Sequence, residues 1–189
     1  QFHETTKTIT NAYARAGSKT EVYSVPTGGH FGSGRWIIHE AEDVLSATLD
    51  IVSPIHLRLA DYRDNPWHAI QWTAATPPEG MTCDLVIIDT QEELDKLRPG
   101  SLRNKLVLTN MRIWDRGIAF LKKEPYGILI ESHVKDCPDA LAWGKFGWGG
   151  FPIHQGPSRM VGMVLSQGQS ARLRALVAVA LGQASHGDD

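Results

Sequence analysis

The chain has 189 residues, 42% of them hydrophobic and 21% charged, the balance of a globular protein able to bury one large core or two small ones. Nineteen basic against twenty-one acidic residues leave a formal charge of −2 with no run of Lys or Arg, which sets nucleic acid aside as a partner. The longest apolar stretch, Leu173 to Leu181, is interrupted by Arg174 and falls far short of the ~20 residues of a membrane span.

Gln1 to Thr10 is polar and lacks the basic start and apolar run of a signal peptide. Glu4 to Ala16 predicts a helix, with Ile9, Ala12, Tyr13 and Ala16 on one face and Gly17-Ser18 as its stop. Thr20 to Val25 alternates as a strand does and ends at Pro26. Thr27 to Gly34, with four glycines in eight residues, reads as a turn or loop. Further strands are expected at Trp36 to Ile38, Ala47 to Val52 and Ile55 to Leu59. Thr76-Pro77-Pro78-Glu79-Gly80 is the best internal boundary, because consecutive prolines hold the chain extended.

Beyond it the pattern changes. Cys83 to Asp89 is a continuous apolar run, as a buried strand requires. Thr90 is placed to cap a short helix over Gln91 to Leu97, and Pro99-Gly100 turns the chain. Leu106 to Leu108 predicts a strand, Asp115 caps a helix through Glu124, and Gly127 to Glu131 is a second buried strand. A long Gly/Trp-rich loop from Val134 to Pro157 separates it from a strand at Val161 to Leu165. A closing helix over Ser170 to Leu181 carries Leu173, Leu176, Val177 and Ala180 on one face.

Three segments, taken in order, resemble the protease-associated domain. They are Lys105-Leu106-Val107-Leu108, the helix, Pro125, Tyr126-Gly127 and strand of Trp114 to Glu131, and the Phe151-Pro152-Ile153 loop with the strand and helix after it. That family's first strand usually follows a glycine, where Asn104 stands here. Gly127 is expected to turn the chain sharply from helix into strand at positive φ. The first 80 residues, with Glu21-Val22-Tyr23-Ser24-Val25-Pro26, Leu59 to Tyr62 and Trp72 to Gly80, resemble the start of bacterial zinc aminopeptidase-like proteins that carry such an insert. That peptidase family is of the transferrin receptor/glutamate carboxypeptidase type.

The resemblance implies an α/β (α+β) chain: a swivelling β/β/α protease-associated domain over residues 81–182, a strand-rich flanking region over 1–80 on the peptidase side, and a tail over 183–189. It also implies a noncatalytic module without a cofactor of its own, with zinc held by the parent peptidase domain. The partners it implies are that adjacent catalytic domain and a peptide or protein substrate, and it leaves homo-oligomers open.

The residues themselves offer few sites. A two-zinc peptidase needs several His, Asp and Glu ligands around one water. Only His186-Gly187-Asp188 spells the family's His-x-Asp, and it lies in a Gly/Ser-rich tail where chance explains it better. His30, His39 and Glu40 are weak metal candidates if the Gly-rich loop folds back, against a plainer reading as solvated loop side chains. His133 and His154 flank the long loop. Glu92-Glu93 opens a helix, where acidic residues belong. Cys83 and Cys137 read as independent thiols rather than a bridge, with Cys83 buried and inert.

The aromatic loop is the strongest surface candidate. Trp143, Phe146, Trp148 and Phe151 occur among Gly144, Gly147, Gly149 and Gly150, with His154 just beyond. Glycines free the backbone and the rings supply contact area, which suits a lid or an interface. The plainer alternative has the rings covering the sheet. The functional reading is therefore an accessory module that shapes substrate access or mediates interaction. Its alternatives are a self-contained metal-binding hydrolase, or a peptide- or glycan-binding module using the tryptophan loop.

Overall fold

A computed structural model describes residues 2–24, 30–31, 37–38, 42–147 and 159–184. Helix α1 (Phe2–Arg15) leads, followed by the two-residue antiparallel pair β1 (His30–Phe31) and β2 (Ile37–Ile38). An antiparallel hairpin comes next, β3 (Thr48–Ile51) with β4 (Leu57–Asp61), and then a 3₁₀ turn at Pro66–His68. The body is a four-stranded parallel sheet in the order β5 (Asp84–Ile87), β6 (Lys105–Thr109), β7 (Gly127–Glu131), β8 (Val161–Leu165). Helices α2 (Gln91–Lys96), α3 (Ile113–Leu121) and α4 (Gln167–Ala184) follow β5, β6 and β8. The chain is thus a mixed α/β fold of the α+β kind, with one antiparallel and one parallel sheet as its main strands.

Strand alternation sorts the side chains into two cores. Val86, Val107, Ile128 and Val164 join Leu94 of α2, Phe120 of α3 and Ile70 on one face of the parallel sheet. Leu85, Leu108, Leu129, Met163 and Leu165 meet Ile51, Leu59 and Ala60 of the hairpin and Leu173 of α4 on the other. The result is three layers: hairpin with α4, parallel sheet, then α2 and α3. Packing crosses the proline-rich stretch before residue 80, since Ile51, Leu59 and Ile70 share cores with the later strands. That stretch is itself a turn, with Gly80 at φ +80° and its N–H on the Pro77 carbonyl.

Several local expectations change. Residues 20–24 form no strand: Val22 and Tyr23 are exposed and join no described strand, and alternation without a strand partner does not make a sheet. The Gly-rich loop contains β1. Helix α3 begins at Ile113 with Arg112 as its N-cap, so Asp115 sits inside the first turn instead of capping it. Gly127 has no positive φ; the left-handed residue after α3 is Glu124, at φ +59°. Asn104, at φ +58°, takes the left-handed turn into β6, a conformation asparagine tolerates better than most side chains. As read, Thr90 caps α2 in a full capping box with Glu93. Beta strand β5 is an edge with half-buried side chains, so its apolar run does not mark an interior strand.

Candidate functional site

The described part of the aromatic loop runs as an extended strip. The Gln71 N–H donates to the Gly144 carbonyl and the Phe146 N–H to the Gln71 carbonyl, each at 3.0 Å, so residues 144–146 lie along residue 71. Extended chain sends alternate residues to opposite sides. Gly144 backs onto Val164 and Ile70, and Phe146, 0% exposed, presses on Gly162 and Ile70. Phe146 is therefore a core residue, and its expected place on an access surface is corrected: the strip's inward register seats the ring against the sheet. Trp143, 56% exposed, and Lys145 fall on the outward register.

That register builds a cluster the sequence did not announce. The Lys145 Nζ stands 5.1 Å from the Trp143 ring centroid and 6.0 Å from that of Trp72, within cation–π range of both. Trp72 adopts φ +61°, rare for a bulky side chain, and its N–H donates to Glu42 Oε2 at 2.6 Å. Burial pushes the Glu42 carboxyl above its ordinary pKa, and the Trp72 N–H opposes this. Two indoles, one ammonium and one carboxylate thus share a surface with an exposed ring at its rim. Trp72 and Lys145 are more than seventy positions apart, and no local pattern joins them. Trp148, Phe151 and His154 lie outside the described residues.

A second polar cluster lies at the carboxyl ends of the parallel strands. Arg174 of α4 makes a two-pronged pair with Asp89, Nη2 to Oδ1 at 2.9 Å, and its Nε lies 3.5 Å from Glu131. Ser170 donates to Glu131, and the Asn110 N–H donates to Asp89 at 3.0 Å. Burial acts to raise the Asp89 pKa, but hydrogen bonds from Arg174 and the Asn110 N–H outweigh it and hold the carboxyl below its ordinary value. Each carboxylate is committed to a cation or a donor, so the cluster is a tie between α4 and the ends of β5 and β7.

The remaining candidates divide in the same way. Glu93 completes the Thr90 cap and Glu92 pairs with Lys96 at 2.7 Å, both structural tasks. His68, buried, sits with Nδ1 2.7 Å from the Val164 carbonyl oxygen. His133 is exposed beside the end of β7. His30 lies on β1 with its side chain undescribed, and His39, Glu40, His186 and Asp188 are outside the described residues. Among the described residues no group of three or more His, Cys, Asp or Glu side chains could hold a metal ion. Cys83 and Cys137 are free thiols; Cys83 is half-buried rather than buried, and desolvation, then the Asp84 charge, raises its pKa away from the reactive thiolate. No helix among the described residues is long and apolar enough to cross a membrane.

Comparison with known proteins places this architecture beside one solved structure. The chain superposes on the crystal structure of a Peptidase M28 precursor from Shewanella amazonensis SB2B with a TM-score of 0.50 and 19% identity. The match covers 71% of this chain and 34% of that one, so the chain spans about a third of that protein's length. No protein-family model and no curated protein matches the chain.

Proposed function

We propose that this chain is a noncatalytic protease-associated module of a zinc peptidase, and that its outward surface at Trp143, Lys145 and Trp72 shapes access of peptide substrate to an adjacent catalytic domain. One observation carries the reading: the chain, whose described residues form an antiparallel hairpin, a parallel sheet and flanking helices, is similar in structure to part of a peptidase precursor over 71% of its length. The ordered segments from Lys105 to the closing helix, which resemble the protease-associated domain, are the strands β6, β7 and β8 of that sheet with α3 and α4. In this reading residues 81–182 form the module, the β3–β4 hairpin supplies its outer layer, and zinc belongs to the catalytic domain.

Metal content and aminopeptidase activity of the purified chain test the reading together. Less than stoichiometric zinc and no turnover of aminoacyl reporter substrates are expected. Stoichiometric metal with turnover, lost on changing His30, His39 or Glu40, would establish the self-contained hydrolase instead. A second reading, a module that itself binds peptide or glycan, has the exposed Trp143 ring in its favour. Titration of the chain with peptides and oligosaccharides, followed by tryptophan fluorescence, separates the two. Saturable binding lost in Trp143→Ala supports the binding module, and an unchanged spectrum supports the access surface.

A further inference from the structure

The sequence has no run of Lys or Arg, yet the fold assembles a basic face from two turns. Residues 97–104 link α2 to β6, and residues 122–126 link α3 to β7. Backbone bonds stitch the two turns together. The Gly100 N–H donates to the Lys122 carbonyl at 3.4 Å and the Leu102 N–H to the Lys123 carbonyl at 3.0 Å. The Lys123 ammonium donates to the Leu97 carbonyl, and Arg103 pairs with Glu124. Lys96, Arg98, Arg103, Lys105, Lys122 and Lys123 are thereby gathered around the amino ends of β6 and β7. Glu124 is the one carboxylate in the two turns, although the whole chain carries a formal charge of −2.

Helix chemistry explains half of this surplus. The carboxyl ends of α2 and α3 favour a cation, which accounts for Lys96, Lys122 and Lys123. Arg98, Arg103 and Lys105 lie beyond the helices and are not needed for that purpose. Two of the six cations have a carboxylate partner, Lys96 with Glu92 at 2.7 Å and Arg103 with Glu124. Both stay exposed, and exposed pairs of this kind are weak enough to be exchanged for another anion. Arg98, Lys105 and Lys122 make no ion pair among the described residues. The stretches outside the described residues contain Glu40, Asp188 and Asp189 as their acidic side chains, fewer than the cations gathered here. A second copy meeting this face about a two-fold axis would set cation against cation.

We propose that this face docks an acidic polypeptide, a partner segment rich in Asp and Glu. The guanidinium groups of Arg98 and Arg103 take carboxylates in two-pronged fashion, and the lysines supply point charges around them. Charge complementarity of this kind speeds encounter and fixes which partner is accepted. None of the exposed aromatic rings among the described residues stands in these two turns. Nucleobases bind by stacking on such rings, and lipid interfaces are anchored by them, so the face suits carboxylates better than either. No residue of this face belongs to the Trp143, Lys145 and Trp72 surface, and the inference does not depend on the role given to that surface.

Fluorescence anisotropy of a labelled oligoglutamate peptide, titrated with the unmodified chain, tests this. Saturable binding is expected at about 0.01 M salt, weakening about tenfold by about 0.15 M as the screening length falls from ~30 Å to ~8 Å. The double variant Arg98→Ala/Lys122→Ala should bind about fivefold more weakly or worse. Arg63→Ala/Arg172→Ala removes the same net charge from exposed positions elsewhere and should change binding by less than about twofold. Circular dichroism checks that each variant folds, and Arg98→Gln/Lys122→Gln replaces the alanine pair if that pair does not. Absence of binding at the lower salt overturns the proposal. Equal weakening by the two double variants also overturns it, since net charge and not this face would then be acting. Phosphatidylcholine vesicles carrying phosphatidylserine, and a single-stranded oligonucleotide, are titrated alongside. Tighter binding to either one assigns the face to a membrane or to nucleic acid and overturns the acidic polypeptide.

Discussion

An alanine Cβ at position 127 would stand 2.6 Å from the Val161 carbonyl oxygen and 3.0 Å from a Leu106 methyl. Gly127 is hydrogen-bonded in register between Leu106 and Val161, and a backbone oxygen cannot rotate away as a side chain can. Gly127→Ala should therefore cost about 1–3 kcal/mol, the range for overpacking, read as a lower midpoint in urea unfolding. A glycine in front of a buried strand was legible as a special position. The reason for it was not, because a strand that arrives more than thirty residues later supplies the clash. Trp143 and Phe146 make the complementary case. Phe146→Ala should destabilise by about 3–5 kcal/mol, whereas Trp143→Ala should leave stability within about 0.5 kcal/mol. Thermal unfolding of the two variants distinguishes a core ring from a surface ring, and equal losses would contradict the alternation of the strip.

At the scale of elements, the most informative contact is the tie between α4 and the ends of β5 and β7. Asp89 and Arg174 are each 26% exposed at the side chain, so removing one partner strands the other in a poorly solvated place. Asp89→Asn should cost about 1–3 kcal/mol at pH 7, read by urea unfolding. The folded-state pKa of Asp89 lies below its unfolded value. Its stabilisation is therefore fully present above the unfolded pKa of about 3.9 and disappears as pH falls through the folded value. The gap between wild type and Asp89→Asn should accordingly close in acid, and a gap that persists well below pH 3 would mean that the substitution acts through packing. Element type was largely legible. The apolar runs before Asp89, Thr109 and Ser132 are strands, the alternation at 47–52 is β3, and Thr90 caps α2. The misreadings share one cause. The residues at 20–24 alternate without finding a partner, and β5 reads like an interior strand, because pairing and edge position depend on chain that is remote in sequence.

For the molecule as a whole, the described cores are built without α1. Ile9 and Tyr13 of its apolar face are 51% and 57% exposed, and neither core cluster contains an α1 residue. A groove of about 290 Å³ between α1 and Val22 is lined by His3, Thr6, Lys7, Thr10 and Asn11. Deleting residues 1–18 should thus leave the unfolding free energy of the rest within about 0.5 kcal/mol. A larger loss in thermal unfolding would show that the helix is tied to the body.

The sequence by itself determined the mixed α/β character, the succession of short strands and helices after residue 80, and the Thr90 cap of α2. All of these follow from side-chain periodicity and backbone preference within a few residues. Tertiary structure alone decided which strand ends the described parallel sheet, why position 127 must be glycine, which ring of the Gly/Trp loop is core, and that Trp72 and Lys145 meet. Each of these depends on a contact between residues far apart in the chain, and local propensity carries no record of distance in space.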